Sequence, residues 1–452
     1  MGNSKSGEKG NNLKWWQLSL FGVGCTIGTG FFLGSSLAIK MTGPSLLIAY
    51  LIAAVGTFMV FDALSRMTAQ EPLEGGFRSY AKKAYGRWAG FSSGWVYWVS
   101  EVLIMGSQMT ALSIFSRFWF PKVPLWLFAA GYATLGLVVV LIGVGLLNKL
   151  ENILALIKIS AILMFIIIAL LAIFGVIDGN RAIDYPNSKK EILPGGVKGL
   201  WSAVIFAYYA FGGIEILGLM ATKLKDPKEA PKAGRVMLFS LMIIYAISIG
   251  LAVTMVSWDK FNAEESPFVI ALAAYKLSFV PHIFNGALII AGFSTMVASL
   301  YGVTSVLVTL AEEGDAPPSF AKKGKLKVPL PTLILTMLGI SASVVSALLM
   351  PNRIYEYLTT AAGLMLLYNW IFILASPRKL LELTKGDKIK YVIGTVFILI
   401  AISGTLFHDT SRPGFFISLA FIGVIGGLTL IMNAKWKKKR KRKRILYPWP
   451  TA

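Results

Sequence analysis

A chain that consists of one long apolar stretch after another has few ways to fold, and this sequence holds about twelve such stretches. They cover residues 18–39, 43–64, 88–118, 124–146, 153–177, 199–221, 236–257, 281–310, 330–350, 355–376, 390–407 and 413–434. Each has the length, roughly 17 residues or more, that an α-helix needs to cross a bilayer. Within lipid the backbone must satisfy its own hydrogen bonds, which a helix does inside each segment. The chain is 56% hydrophobic with 15% charged residues and a mean hydropathy of +0.67, against roughly 25% charged in soluble domains. An all-α membrane protein with twelve transmembrane helices is expected. The single cysteine, Cys25, rules out a disulfide framework.

Two of these stretches carry helix breakers where a plain span would not. The first holds Gly22, Gly24, Gly28, Gly30 and Gly34, and each glycine costs about 1 kcal/mol against alanine in a helix interior. Gly24 and Gly28 also form the small-residue spacing that lets two helices pack closely. The sixth stretch settles the balance towards a break. It is interrupted midway by Gly212 and Gly213, with Glu215 following in the same span. Stretches one and six lie five spans apart, so they cross the membrane in opposite directions. Paired interrupted helices of opposite sense are the sequence mark of an inverted-topology transporter, with its site at the repeat interface.

Basic residues set the orientation. With the N-terminus cytosolic, the cytosolic tails and loops hold roughly 32 of the 44 lysines and arginines. Both termini are then cytosolic: an N-terminal tail over 1–17, polar and disordered up to residue 12, and a basic tail over 435–452. The run of lysine and arginine at 435–444, broken only by Trp436, supplies much of the net charge of +22. Beside a span, such a run is expected to rest on anionic lipid rather than on nucleic acid. Between the second and third stretches, Gly75 and Gly76 mark a turn. A short surface helix is expected within 65–86.

Three ionisable residues fall inside spans. Glu101 lies roughly 15–20 Å into the third, near mid-membrane. It reads either as a protonated structural acid or as part of a functional path. Lys158 lies roughly 12 Å into the fifth, deep for snorkelling, and needs carbonyl or carboxylate partners or a role in carrying protons. Glu215 follows the sixth-stretch break. No metal-ligand spacing or nucleophile–base pair occurs, so neither an enzyme nor a bound cofactor or metal is expected.

The ordered set of motifs resembles the amino acid–polyamine–organocation superfamily, and within it the bacterial amino-acid permeases. These are Thr26-Ile27-Gly28-Thr29-Gly30-Phe31-Phe32-Leu33-Gly34, Gly43-Pro44, Gly94-Trp95-Val96-Tyr97-Trp98, Phe211-Gly212-Gly213-Ile214-Glu215, Asp226-Pro227 with Pro231-Lys232-Ala233, Ser266-Pro267-Phe268-Val269, and Glu313-Gly314-Asp315-Ala316-Pro317. They span almost the whole chain. The resemblance implies two inverted five-helix repeats, over 18–177 and 199–376, with helices 11 and 12 over 390–434. It implies a substrate carboxylate held by the Thr29 hydroxyl and the N–H groups around Gly28 and Gly30. The substrate ammonium would meet carbonyls near Thr26, Tyr209, Ala210 and Gly212, with Tyr209 or Phe211 as aromatic wall or gate. Lys158 matches a lysine that stands where sodium sits in sodium-dependent relatives, with Ser294 as neighbour. Glu215 matches an acid linked to proton sensing. Two departures fall at the cytosolic side: Lys223 stands where the family often has an acid, and the linker from Asp226 to Pro231 is one residue shorter.

The implied function is secondary active import of an amino acid, small and neutral, by proton-coupled symport with alternating access across the cell membrane. Lys158, Glu101, Glu215 and Ser294 are the coupling candidates. The alternatives are an exchanger without net proton movement and, further off, an amino-acid sensor.

Overall fold

The computed structural model describes residues 13–142, 144–177, 188–273, 275, 277–322, 329–349 and 353–446. The expected N-terminal tail up to residue 12 and the last six residues of the basic tail lie outside these. Among the described residues the chain is helical, without a β-strand.

The first half opens with α1 (Trp15–Thr26), α2 (Thr29–Phe32) and α3 (Gly34–Thr42), which together replace the first expected span. It continues with α4 (Leu46–Gln70), α5 (Phe77–Tyr85), α6 (Arg87–Arg117), α7 (Leu125–Ile142) and α8 (Val144–Ile173). A short α9 (Lys189–Ile192) precedes the second interrupted unit, α10 (Gly196–Ala210) and α11 (Ile214–Met220). Then come α12 (Ala230–Met255), a short α13 (Pro267–Leu272) and α14 (Val280–Glu312). The chain closes with α15 (Leu330–Leu349), α16 (Ile354–Ala375), a short α17 (Pro377–Leu380), α18 (Lys385–Gly404) and α19 (Arg412–Leu446).

Among the described residues, nine helical runs are long and apolar enough to cross a membrane. One of them, Thr29–Gln70, is 42 residues long. At 1.5 Å per residue that is about 63 Å, twice a hydrocarbon core of about 30 Å. The run therefore has to turn back, and it does so at the 3₁₀ turn Gly43–Ser45. The surface helix expected within 65–86 is α5, which follows the turn at Gly75 and Gly76. Segment five starts at Val144 rather than near residue 153. The last helix runs on through the basic tail to Leu446.

The centre of the molecule is built around the two interrupted units. α1 packs on α8, α11, α12 and α14, and α6 packs on α14 and α16. An aromatic cluster pins the second piece of the first unit to the second unit. Phe31 stacks on Tyr245 at 4.0 Å, and Phe211 lies 5.2 Å from Tyr245 and 6.1 Å from Tyr50, between ring centroids. Such pairs each add about 0.5–1.5 kcal/mol beyond their buried area. They matter here because lipid gives helices no hydrophobic drive to associate.

Candidate functional site between two helix breaks

The first break falls at Ile27 and Gly28, inside the glycine cluster. The Ile27 N–H still bonds the Val23 carbonyl at 2.9 Å, and Gly28 then runs extended. Its carbonyl accepts from Phe31 and Phe32, both at 3.1 Å, and α2 restarts. Among the described residues, the N–H groups of Gly28, Thr29 and Gly30 have no backbone acceptor at the break. Such orphan donors are what a helix start offers to an anion.

The second break covers Phe211, Gly212 and Gly213. Gly213 has φ of +108°, a conformation that side chains oppose. A Cβ there would stand 2.9 Å from the Cys25 carbonyl oxygen. The two breaks thus lie directly against each other. Close approach also explains Gly28 and Gly30, where a Cβ would stand 2.8 Å from Thr295 Oγ1 and 2.7 Å from Tyr209 Cδ1.

A cavity of 30 Å³ sits at this junction. Of the expected substrate residues, Thr26, Gly28, Thr29, Gly30, Tyr209 and Gly212 line it, together with Glu101. Ala210 and Phe211 do not. The Ala210 carbonyl instead accepts from the Tyr245 hydroxyl at 3.1 Å, and the Phe211 ring faces the aromatic cluster. Tyr209 closes one side of the cavity, its hydroxyl 2.6 Å from Ser107 Oγ. Four buried polar atoms of lining residues have no hydrogen-bond partner among the described residues: Thr26 Oγ1, Thr29 Oγ1, Glu101 Oε2 and Gln108 Oε1. Leaving a buried polar atom unmet costs about 1–3 kcal/mol, a cost that a polar guest in the cavity would remove.

The other ionisable residues stand behind the cavity. Lys158 is fully buried on α8 and donates to the Gly24 carbonyl at 2.5 Å, in the last turn before the first break. Ser294 is buried on α14, next to the lining residue Thr295. Glu215 accepts from the Gly213 N–H at 3.1 Å and from the Trp370 indole. It holds the second break rather than facing the cavity.

Two further features lie outside the cavity. Towards one face lies a vestibule of 1040 Å³ that includes Arg117, Glu265, Arg353 and Tyr355 in its lining. The Tyr355 hydroxyl donates to the Thr29 carbonyl at 3.2 Å, so one phenol stands between vestibule and cavity. Elsewhere, between the start of α5, the start of α6 and the residues just past α14, Arg78 bonds Glu313 and, at 3.3 Å, Asp315, while Arg87 bonds Asp315 at 2.5 Å. Burial pushes the Glu313 carboxyl up, but the hydrogen bonds from Arg78 and Lys82 outweigh it and hold the group below the usual glutamate range.

The sequence matches the Amino acid permease family over residues 17–407. The chain belongs to that family. A relative from Bacillus subtilis (strain 168), the uncharacterized transporter YcgH, is 52% identical over 96% of this chain and 98% of its own. The aromatic amino acid transport protein AroP of Escherichia coli (strain K12) is 29% identical over 91% of this chain and 92% of its own. A crystal structure of a mutant Eremococcus coleocola manganese transporter shares the fold. It has a TM-score of 0.63 at 14% identity and covers 97% of each chain. The permease is thus a multi-pass membrane transporter with an aromatic amino acid transport protein among its relatives.

Three lining residues of this permease carry little signal in the sequence. Gln108 is an amide on the same helix face as Glu101, seven residues on, and its Nε2 donates to Thr295 Oγ1 at 3.1 Å. Thr295 and Ser299 are hydroxyls in a span, which usually bond their own helix. Thr295 does that too, to the Gly292 carbonyl at 2.9 Å, while still facing the cavity.

Proposed function

We propose that this permease imports a small neutral amino acid together with a proton, by alternating access across the cell membrane, with both termini cytosolic. The proposal takes residues 18–177 and 199–376 as two inverted repeats that rock about the site, with helices 11 and 12 over 390–434 outside them. The reading rests on the cavity between the two helix breaks. Its two sides suit the two ends of a zwitterion. The N–H groups of Gly28, Thr29 and Gly30, with the Thr29 hydroxyl, receive the carboxylate. Carbonyl groups around Thr26 and Gly212 receive the ammonium. No covalent step is needed.

Glu101 is the proton carrier in this scheme. An ionised carboxylate buried without a counter-charge is costly, so Glu101 holds a proton until the site opens to water. Lys158 acts one layer back, fixing the carbonyl of Gly24 and through it the shape of the first break. Glu215 fixes the second break from the acceptor side, by taking the Gly213 N–H. Tyr209 fills the side of the cavity that a large substrate side chain would need, which supports a smaller cargo than the aromatic amino acids named for AroP.

The deciding experiment reconstitutes the protein in vesicles and measures uptake of the twenty labelled amino acids, with and without an inward acid gradient. The expected result is accumulation of one or a few small neutral amino acids, only under the gradient. Exchange against a preloaded lumen that ignores the gradient would replace symport with antiport. Saturable binding without flux would replace transport with sensing.

A further inference from the structure

We propose that the basic end of α19 is a docking surface for anionic lipid headgroups, and that the docked helix braces the charge cluster that joins α5 and the start of α6 to the end of α14. The membrane setting is all this needs from the reading above; the identity of the cargo does not enter.

The geometry comes first. α19 has 35 residues, about 52 Å at 1.5 Å per residue, whereas the hydrocarbon core is about 30 Å thick. Its last turns therefore leave the hydrocarbon at headgroup level. Lys435, Lys437 and Lys438 are exposed there, and residues 439–444 are all lysine or arginine. Like charges three and four apart oppose an isolated helix, yet this stretch is helical. Opposite charge from outside relieves that repulsion, and the polyanion nearest a segment that continues a span is the lipid surface.

One residue within the run is not basic. Trp436 lies with its ring 4.5 Å from the Arg87 guanidinium carbon and 5.6 Å, edge on, from the Phe91 ring. Arg87 opens α6 and is already committed elsewhere. Its Nε donates to Asp315 at 2.5 Å, and its Nη2 donates to the carbonyls of Glu313 at 3.1 Å and Gly314 at 2.9 Å. Asp315 also meets Arg78, and Glu313 meets Arg78 and Lys82. Trp436 is thus one contact from the cluster that joins the start of α6 to the end of α14. Those same two helices carry Glu101, Gln108, Thr295 and Ser299 to the cavity. A surface that holds the basic turns in place also keeps the indole over Arg87 and the cluster shut.

Hydrogen–deuterium exchange on the full-length protein tests this without any transported substrate. The protein is reconstituted in phosphatidylcholine vesicles and in vesicles with about a third phosphatidylglycerol. Exchange is followed in peptides covering 77–93 and 309–316. Anionic lipid should slow exchange there by about two- to fivefold, the size of an exposed cation–π contact. Trp436→Ala should abolish that response while trypsin cleavage within 437–444 stays slowed by phosphatidylglycerol. The variant with Lys439→Gln, Arg440→Gln, Lys441→Gln, Arg442→Gln, Lys443→Gln and Arg444→Gln should lose both responses. Equal exchange in the two vesicle types for the wild type would overturn the proposal. So would a full response in Trp436→Ala, or slowing of exchange by a single-stranded oligonucleotide but not by phosphatidylglycerol.

Discussion

Glu101 and Lys158 are both buried in the middle of the molecule, but they face different things. Glu101 borders the cavity with one carboxyl oxygen unmet, and Lys158 is spent on the Gly24 carbonyl. Their replacements should therefore fail differently. One unit of pH gradient is worth about 1.4 kcal/mol per proton, or about tenfold in accumulation. Glu101→Gln keeps the shape and hydrogen-bonding of a protonated acid but carries no removable proton. It should lower the accumulation ratio from about tenfold per pH unit to near one, while exchange across the membrane continues. Accumulation at the wild-type ratio would exclude Glu101 as the carrier. Lys158→Ala leaves the last turn of α1 without its cation and should abolish both accumulation and exchange. Unimpaired uphill uptake in that variant would remove Lys158 from the mechanism.

At the scale of the helix, the breaks are what the molecule cannot do without. Gly213 has φ of +108° and a carbonyl oxygen 2.9 Å from where a Cβ would stand. Gly213→Ala should cost about 1–3 kcal/mol in strain and push α11 off α1. Uptake should fall below detection while the protein still inserts. Gly426→Ala is the control: nothing lies within 4 Å of its Cβ position, and uptake should stay normal. Normal uptake kinetics in Gly213→Ala would count against a site at the junction.

Both breaks were legible because glycine clusters have few other uses in the middle of an apolar span. Glu101 and Lys158 were legible because charge in lipid is costly. The partner residues were not. A glutamine and two hydroxyls look the same in sequence whether they turn to a cavity or to their own helix. Neither Ala210 nor Phe211 is distinguished in the sequence from Tyr209, although they point away from the cavity; that depends on where α10 stops winding. The continuation of α19 through the basic run was hidden for a similar reason. Like charges argue against a helix locally, and the contact of Trp436 with Arg87 is made across more than three hundred residues.

On the scale of the whole molecule, two unlike contacts tie distant parts of the chain together. A neutral phenol, Tyr355, stands between the cavity and the vestibule, whereas charges tie the starts of α5 and α6 to the end of α14. Only the second should feel acid. Glu313 lies in that cluster with its carboxyl held below the ordinary range, burial being outweighed by Arg78 and Lys82. A lowered folded-state pKa gives stability that is complete above the unfolded value of about 4.3 and is lost as pH falls through the folded value. Glu313→Gln should therefore lower stability by about 2 kcal/mol at neutral pH, with Asp315 still facing Arg78. Below about pH 4.3 the difference from wild type should shrink, because acid removes the same charge from the wild type. Thermal unfolding of both proteins in detergent across that range measures it. A deficit that stays constant into acid would mean that the cluster is held by packing around Arg78 rather than by the Glu313 charge.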